Sequence, residues 1–271
     1  MNRRLLLSSL LLAAAALPAW AQKKAPLKIG ILAGATATVF EAAAEEAKRQ
    51  GLDVRLIEFT DFTTPNVALN SGDLDANFFQ HQAFLDNAIR ERGYKLKSVG
   101  LGTLSTIGIF SEKFKRLEDF KVGSKVGIYN DVTNRSRMLR LLEQVGLIRI
   151  RNGAGDALEV SDVIENPKNL KLVEVEGPQL MRAFDDLDAA VLYVQSIVTA
   201  GRPQLANNAL AYSRGDDIYY ALRLVTREEN TRDPRVHQFL KVYQESPAVR
   251  EALKKAYAGN EKLYSLAWLR K

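Results

Sequence analysis

The sequence predicts an α/β protein built from two lobes. Short apolar runs rich in β-branched residues alternate with amphipathic helical stretches, which is typical of βα units with largely parallel sheets. A polar stretch at residues 111–121 interrupts this alternation, which then starts again. The chain has 271 residues, of which 46% are apolar and 26% charged, and it has no cysteine. This composition excludes disordered chains, collagen and disulfide scaffolds.

The first set of elements begins with a βαβ unit. Residues 27–32 form a buried strand, residues 39–50 a helix that Gly51 ends, and residues 54–59 the second strand. The twist of the strands makes this crossover right-handed. The pattern continues with a helix that starts near Pro65 and ends before Gly72, a strand at 75–79, a helix at 82–92, and strand-like runs at 94–100 and 106–110.

The second set begins with a strand at 125–129 and a helix at 135–145. It continues with strands at 170–175 and 189–192, a helix at 179–184, a strand-like run at 219–227, and helices at 234–244 and 248–257. No repeat or low-complexity linker separates the two sets. We therefore expect one lobe from residues 22–108 together with 215–271, and a second lobe from residues 109–214.

Residues 1–21 have the pattern of a cleaved secretory signal peptide. Arg3 and Arg4 precede an apolar run at 5–17, and the stretch ends at Ala21 in a small-x-small cleavage pattern. This run is shorter than the roughly 20 residues that a permanent membrane span requires. Because the chain has no cysteine, the cleavage site lacks a lipidation cysteine. We therefore expect a periplasmic protein that is secreted without a lipid anchor.

Charge and motif content argue against nucleic-acid binding and catalysis. Removing 21 residues, two arginines among them, leaves 250 residues with a net charge of +4, which is too weak to indicate nucleic acid. The chain has two histidines, His81 and His237, and no HExxH, CxxC, P-loop or GxSxG motif. We therefore expect no enzyme activity, no metal site and no cofactor.

A first candidate binding segment is 75–81, where Phe78, Phe79 and His81 follow a predicted strand. Open α/β sheets bind ligands at the carboxyl ends of their strands, so these side chains are candidates for a pocket. Spacing alone favours a different interpretation, in which the aromatic pair packs in the core and the histidine caps the next helix.

A second candidate segment is 129–137, where polar residues follow a strand and open a helix. Backbone N–H groups converge there with Arg137 near the positive end of the helix dipole. A guanidinium matches the two oxygens of a carboxylate, so this corner suits a ligand carboxylate. An N-cap followed by a surface arginine explains the same pattern equally well.

These segments belong to a wider set of stretches that resembles a known family. The sequence resembles the NlpA-type (MetQ-like) substrate-binding proteins of ABC importers that take up methionine. The resemblance rests on residues 64–69, 72–81, 130–134 with Arg137, 165–171 and 182–191, which occur in the family's order. It implies a two-lobe periplasmic-binding-protein fold of type II-like topology, with a ligand cleft between the lobes.

The resemblance also implies roles for individual residues. Phe79 and His81 would line the side-chain pocket, Arg137 would clamp the ligand carboxylate, and Asn134 would support the same corner. At Tyr193 the family has an asparagine that contacts the bound amino acid. A tyrosine is larger than asparagine and offers one hydroxyl in place of an amide. It would narrow the pocket or reach the ligand's amine.

Two other departures concern the start of the mature chain. Ala21 and Gln22 stand where family members usually carry a lipobox cysteine, and the turn at 33–37 lacks the Pro-His pair that the family often shows.

The expected function is that of a periplasmic binding protein, a monomer that binds methionine or a related small amino acid and delivers it to an ABC permease and ATPase complex. One alternative is a non-transport ligand-sensing or surface protein. Another is an enzyme on the same scaffold, because a fold alone does not fix function.

Overall fold

The computed structural model describes residues 25–270. The predicted signal peptide, residues 1–21, lies outside the described residues. Within 25–270 no helix has both the length and the apolar character needed to cross a bilayer. The two main sheets of this part of the chain each have five strands and form the centres of two lobes, which confirms the predicted α/β class.

The secondary structure alternates between strands and helices along the chain. The strands are β1 (Leu27–Leu32), β2 (Val54–Phe59), β3 (Ala76–Asn77), β4 (Leu96–Leu101), β5 (Thr103–Ser105), β6 (Ile107–Phe110), β7 (Lys125–Tyr129), β8 (Arg149–Ile150), β9 (Val163–Glu165), β10 (Lys171–Val175), β11 (Ala189–Tyr193), β12 (Ala211–Tyr212), β13 (Arg223–Arg227) and β14 (Tyr264–Leu266). The helices are α1 (Ala37–Arg49), α2 (Thr64–Ser71), α3 (Gln82–Arg92), α4 (Val132–Gln144), α5 (Gly177–Ala183), α6 (Val194–Thr199), α7 (Pro203–Ala206), α8 (Pro234–Glu245) and α9 (Pro247–Ala256).

The first sheet has the strand order β2-β1-β3-β13-β4. Strand β1 pairs in parallel with β2 and β3, and β13 pairs antiparallel with β3 and β4. Leu27, Ile29 and Ile31 of β1 are fully buried, as expected for a central strand covered on its faces by helices. This arrangement brings the carboxyl ends of β1, β2 and β3 to one edge.

The second sheet has the order β10-β7-β11-β6-β12 and the same arrangement of parallel and antiparallel strands. Strand β7 pairs in parallel with β10 and β11, and β6 pairs antiparallel with β11 and β12. The carboxyl ends of its parallel strands therefore also meet at one edge. Each sheet thus contains one antiparallel strand inserted beside parallel strands, where the sequence predicted largely parallel sheets.

The chain crosses between the sheets twice. It passes from β4 through β5 to β6, and it returns from β12 to β13. The two crossings touch, because Gly102 N–H donates to Leu222 O at 2.8 Å and Leu222 N–H donates to Thr103 O at 2.9 Å. Strand β14 near the end of the described chain pairs with β5 and adds a further strand to this hinge. The division of the lobes at 108/109 and 214/215 stays a prediction. The first of these boundaries falls inside β6, which lies in the second sheet.

Several predicted elements differ from the observed ones. The strand predicted at 75–79 is only β3, because the chain leaves the sheet after residue 77 to place His81 as the N-cap of α3. The strand predicted from residue 219 begins at 223, because Asp217 accepts a hydrogen bond from Tyr219 N–H and caps a short 3₁₀ turn. The helix predicted from 135 begins at 132, where Asp131 is the N-cap.

Candidate functional site

A cavity of about 500 Å³ lies between the two sheets. Residues that follow β1, β2 and β3 form one wall, and residues that follow β7, β10 and β11 form the other. Its volume is in the usual range for a small-molecule site. The wall on the side of the first sheet is strongly aromatic, with Phe40, Phe59, Phe62, Phe78, Phe79 and Phe84. The cavity therefore combines an apolar wall with a polar corner on the opposite lobe.

Phe78 and Phe79 have different surroundings. Phe78 is fully buried and packs against Phe40 and Tyr243, with ring centroids 5.2 and 4.7 Å away. Phe79 is 9% exposed and makes an edge-to-face contact with Phe84 at 5.8 Å. Both rings reach the cavity, so the core interpretation and the pocket interpretation each describe part of this pair.

His81 caps a helix, as one interpretation predicted, and it also lines the cavity. Its Nδ1 accepts the backbone N–H of Phe84 at 3.1 Å, which caps α3. Since Nδ1 is an acceptor, the proton of the neutral ring lies on Nε2. This N–H donates to Asn134 Oδ1 at 3.1 Å. His81 belongs to the first lobe and Asn134 to the second, so the bond joins the lobes directly.

Asn134 lies in the first turn of α4, where Asp131 fixes its position. The Asp131 carboxylate accepts the backbone N–H of Asn134 at 3.0 Å and its side-chain amide at 3.0 and 3.1 Å. Burial raises the pKa of the Asp131 carboxyl above its usual value, and the hydrogen bonds from Asn134 and Thr133 offset only part of this rise. Because the Asn134 amide nitrogen faces Asp131, its oxygen faces the cavity and accepts from His81 and Tyr193.

Tyr193 connects this amide to Arg137. The tyrosine hydroxyl donates to Asn134 Oδ1 at 2.7 Å and accepts from Arg137 Nη1 at 3.0 Å. Burial raises the pKa of the Tyr193 hydroxyl above its usual value, and the Arg137 charge offsets only part of this rise. The phenol therefore stays protonated and can donate.

Arg137 lies behind this layer rather than in the cavity wall. It is 7% exposed, its Nη2 donates to Ser105 O at 2.8 Å, and its guanidinium lies 5.3 Å from the Tyr193 ring and 4.7 Å from the Tyr220 ring. The interpretation as a surface arginine was wrong, because the side chain is buried. Within residues 25–270 the guanidinium forms no ion pair, and its hydrogen bonds go to the two neutral oxygens of Tyr193 and Ser105.

The structure therefore places Phe79, His81, Asn134 and Tyr193 in the cavity wall, and Arg137 one side chain behind it. Sequence reasoning missed Tyr220 and Ser105, which hold the guanidinium. Tyr220 also makes an edge-to-face contact with His81 at 5.1 Å. The only local signal for Tyr220 was the aromatic pair at 219–220, which strand propensity explained equally well.

The acidity of His81 gives a testable property of this corner. Burial, together with the nearby Arg137 charge, lowers the pKa of His81 to about 3. In the unfolded chain the imidazole takes up its proton near pH 6.5, while the folded protein keeps it neutral. The His81 contribution to stability is therefore complete above pH 6.5 and is lost as the pH falls toward 3.

We expect His81→Gln to flatten the acid limb of the stability curve. Between pH 6.5 and 5.5 the wild-type free energy of unfolding should fall by about 1 kcal/mol more than that of the variant. Urea unfolding at several pH values measures this difference, and other titrating groups cancel because both proteins contain them. Parallel curves for the two proteins would show that His81 titrates normally.

Comparison with known proteins identifies the family. The family model described as NlpA lipoprotein matches residues 27–264. The chain belongs to the NlpA lipoprotein family. Among NlpA relatives, the D-methionine-binding lipoprotein MetQ of Salmonella typhimurium is 42% identical over 234 residues, which is 86% of each chain. The protein of the same name from Escherichia coli strain K12 is 41% identical over the same length and shares.

Solved structures of NlpA relatives have the same fold. A crystal structure of the methionine-binding protein MetQ has 40% identity and a TM-score of 0.84, and the match covers 90% of this chain and 98% of the other. A nutrient-binding protein from Burkholderia cenocepacia bound to methionine has 41% identity and a TM-score of 0.81, covering 86% and 97%. The predicted family and the predicted two-lobe fold are thus confirmed.

Proposed function

We propose that this chain is the periplasmic substrate-binding protein of an ABC importer and binds methionine or a related small amino acid between its lobes. The observation that carries the proposal is the cavity, which has an aromatic wall on one lobe and a polar corner on the other. An apolar side chain is stabilised against the rings of Phe62, Phe79 and Phe84. A carboxylate is stabilised by the Tyr193 hydroxyl and by the Arg137 charge behind it.

The charge of the corner supports the position of the carboxylate. The buried Arg137 guanidinium bonds only to neutral oxygens, so its charge is uncompensated by any ion pair with the described residues. A buried charge without a counter-charge is costly, and a ligand carboxylate supplies one. In this proposal Arg137 acts through the Tyr193 hydroxyl, which can turn its proton toward the ligand while it still accepts from Arg137.

The lobes supply the mechanism of transport. Ligand contacts on both walls favour the closed arrangement, in which His81 meets Asn134. The protein acts as a monomer, and its closed form then delivers the ligand to a membrane permease and its ATPase. The two lobes act as a binding device, and no residue serves as a catalytic group. The names of the NlpA relatives support this assignment.

A thermal-shift screen of the refolded mature protein tests the proposal. Refolding removes ligand carried through purification, and the screen uses L- and D-amino acids. A ligand that binds only the native state, at 100 times its Kd, stabilises that state by about 2.7 kcal/mol. We expect a selective rise in Tm with methionine or a compound of its shape.

A second assay separates transport from sensing. The ligand found by the screen, together with this protein, should stimulate ATP hydrolysis by the cognate permease complex in liposomes. A protein that binds its ligand but stimulates no permease complex would support the ligand-sensing alternative. Turnover of the bound compound, followed by mass spectrometry, would support the enzyme alternative.

A further inference from the structure

The α-ammonium group of an amino acid needs hydrogen-bond acceptors near the carboxylate, because both groups are attached to the same carbon. Asn134 supplies at most one of these acceptors. Its amide oxygen has two acceptor sites, which are taken by His81 Nε2 and the Tyr193 hydroxyl. When Tyr193 turns its proton to the ligand carboxylate, one of the two sites becomes free. An ammonium group has three N–H donors, so it requires further acceptors.

Neutral oxygens of the cavity wall are the candidates. Within residues 25–270 the wall contains no aspartate or glutamate, but it contains the glutamines Gln80, Gln179 and Gln195. The oxygen of Gln80 accepts from Asn66 at 2.8 Å in a buried network of amides. The oxygen of Gln179 accepts from Arg182, whose charge repels a second cation. These two amides are therefore less suited to an ammonium group than Gln195.

Gln195 lies beside the corner that we assign to the carboxylate. The Arg137 guanidinium donates through one nitrogen to the Tyr193 hydroxyl at 3.0 Å and through another to Ser105 O at 2.8 Å. Ser105 Oγ in turn donates to Gln195 Oε1 at 2.7 Å. Gln195 is therefore one residue removed from the group whose charge attracts the carboxylate.

The orientation of the Gln195 amide leaves an acceptor site for a ligand. Its Nε2 donates to the hydroxyl of Tyr257, which is fully buried at the end of α9, so its Oε1 faces Ser105. Among the described residues Ser105 is the only donor to this oxygen, so one of its two acceptor sites is free. Ser105 lines the cavity as well, and its hydroxyl oxygen can accept while its proton is donated to Gln195.

We infer that Gln195 binds the α-ammonium group of the ligand and thereby selects amino acids over carboxylic acids that lack this group. Gln195 Oε1 accepts one ammonium N–H, and Ser105 Oγ accepts a second. The carboxylate on the same carbon meets the Tyr193 hydroxyl. This inference rests on the proposed function and assigns the recognition of the amino group to a named residue.

Calorimetric titration with two probes tests the inference. The probes are methionine, as the stereoisomer that binds more tightly, and its analogue with hydrogen in place of the ammonium group. Gln195→Leu removes the acceptor and keeps the approximate size of the side chain. We expect the preference for methionine over the analogue to fall by about 10- to 100-fold, the range for hydrogen bonds to charged groups. Lost order around Ser105 and Tyr257 would weaken both probes equally, so the ratio of the two Kd values isolates the ammonium contact.

Two further glutamine variants serve as controls. Gln195→Glu keeps an oxygen at this position and adds a negative charge, so the preference for methionine should be kept or increased. Gln179→Leu removes another amide of the cavity wall and should keep the wild-type ratio. An unchanged ratio in Gln195→Leu, or equal binding of the two probes by the wild type, would overturn the inference and leave the proposed function intact. Binding of neither probe would contradict the proposed function, on which the inference rests.

Discussion

Replacing Arg137 with alanine is expected to weaken ligand binding by about 2–4 kcal/mol, or about 30- to 1000-fold in Kd. The side chain is 7% exposed, and its guanidinium supplies the positive charge behind Tyr193. Its loss leaves the ligand carboxylate buried without a counter-charge, and it leaves Ser105 O without its donor. Isothermal titration with the ligand from the thermal-shift screen measures the change.

Arg140→Ala is the matched control on the same helix. Its guanidinium lies at the surface, where it donates to Gly155 O at 2.7 Å and pairs with Asp156 at 3.8 Å. We expect its Kd to stay within about twofold of wild type, because surface ion pairs contribute about 0–1 kcal/mol to stability and this one does not reach the cavity. Normal binding by Arg137→Ala, with an unchanged Tm, would remove Arg137 from the site.

Gly177→Val is expected to weaken binding by about 150-fold. Gly177 starts α5 in the second lobe, and a Cβ atom there would lie 2.4 Å from Phe62 Cε2 of the first lobe and 2.8 Å from Tyr129 Cε2. The Phe62 ring packs between Phe84 and Tyr129, with centroids 6.1 and 6.0 Å away. A shift of this ring away from a new side chain at 177 would therefore disturb its packing against its neighbours. An overpacking cost of about 3 kcal/mol would lower the population of the closed form by about 150-fold. The apparent affinity for the ligand falls by the same factor.

Gly215→Val is the control for this clash. The nearest atom to a Cβ at that position is Thr106 Oγ1, 3.9 Å away, so we expect wild-type affinity. Small-angle X-ray scattering with saturating ligand should show that the Gly177 variant keeps a larger radius of gyration than wild type. A variant at 177 that closes and binds normally would show that Phe62 moves without loss.

The sequence predicted the regular elements well where the pattern was local. Strands β1, β2 and β7 and helix α3 begin and end where predicted, because apolar runs rich in β-branched residues mark the strands and a C-terminal glycine marks the helix. Gly93 follows α3 with φ of +67°, a conformation that glycine adopts without strain. Helix α6 and strands β5 and β14 were missed, since their short segments are ordered by contacts between distant parts of the chain.

The same distinction applies to the candidate site. Residues 75–81 and 129–137 stood out because polar side chains follow strands, and this is a local signal. The connection of His81 to Asn134 and of Tyr193 to Arg137 spans 53 and 56 residues. Such pairings depend on how the two lobes meet. The placement of Arg137 behind Tyr193, rather than in the wall, follows from that meeting and has no counterpart in the sequence pattern.

The two crossings lie at the axis about which one lobe would rotate relative to the other. Arg137 donates to Ser105 O on β5, and His81 forms a β-bridge with Leu222 on the return crossing, so the polar corner lies next to this axis. Phe62 follows β2 and Gly177 follows β10; each strand is three places from its crossing strand, or roughly 14 Å. The displacement in a rotation grows with distance from the axis. A rotation about the crossings therefore separates the two walls more at Phe62 than at the polar corner. In the proposed binding mode the side-chain end of the ligand would meet solvent before its carboxylate.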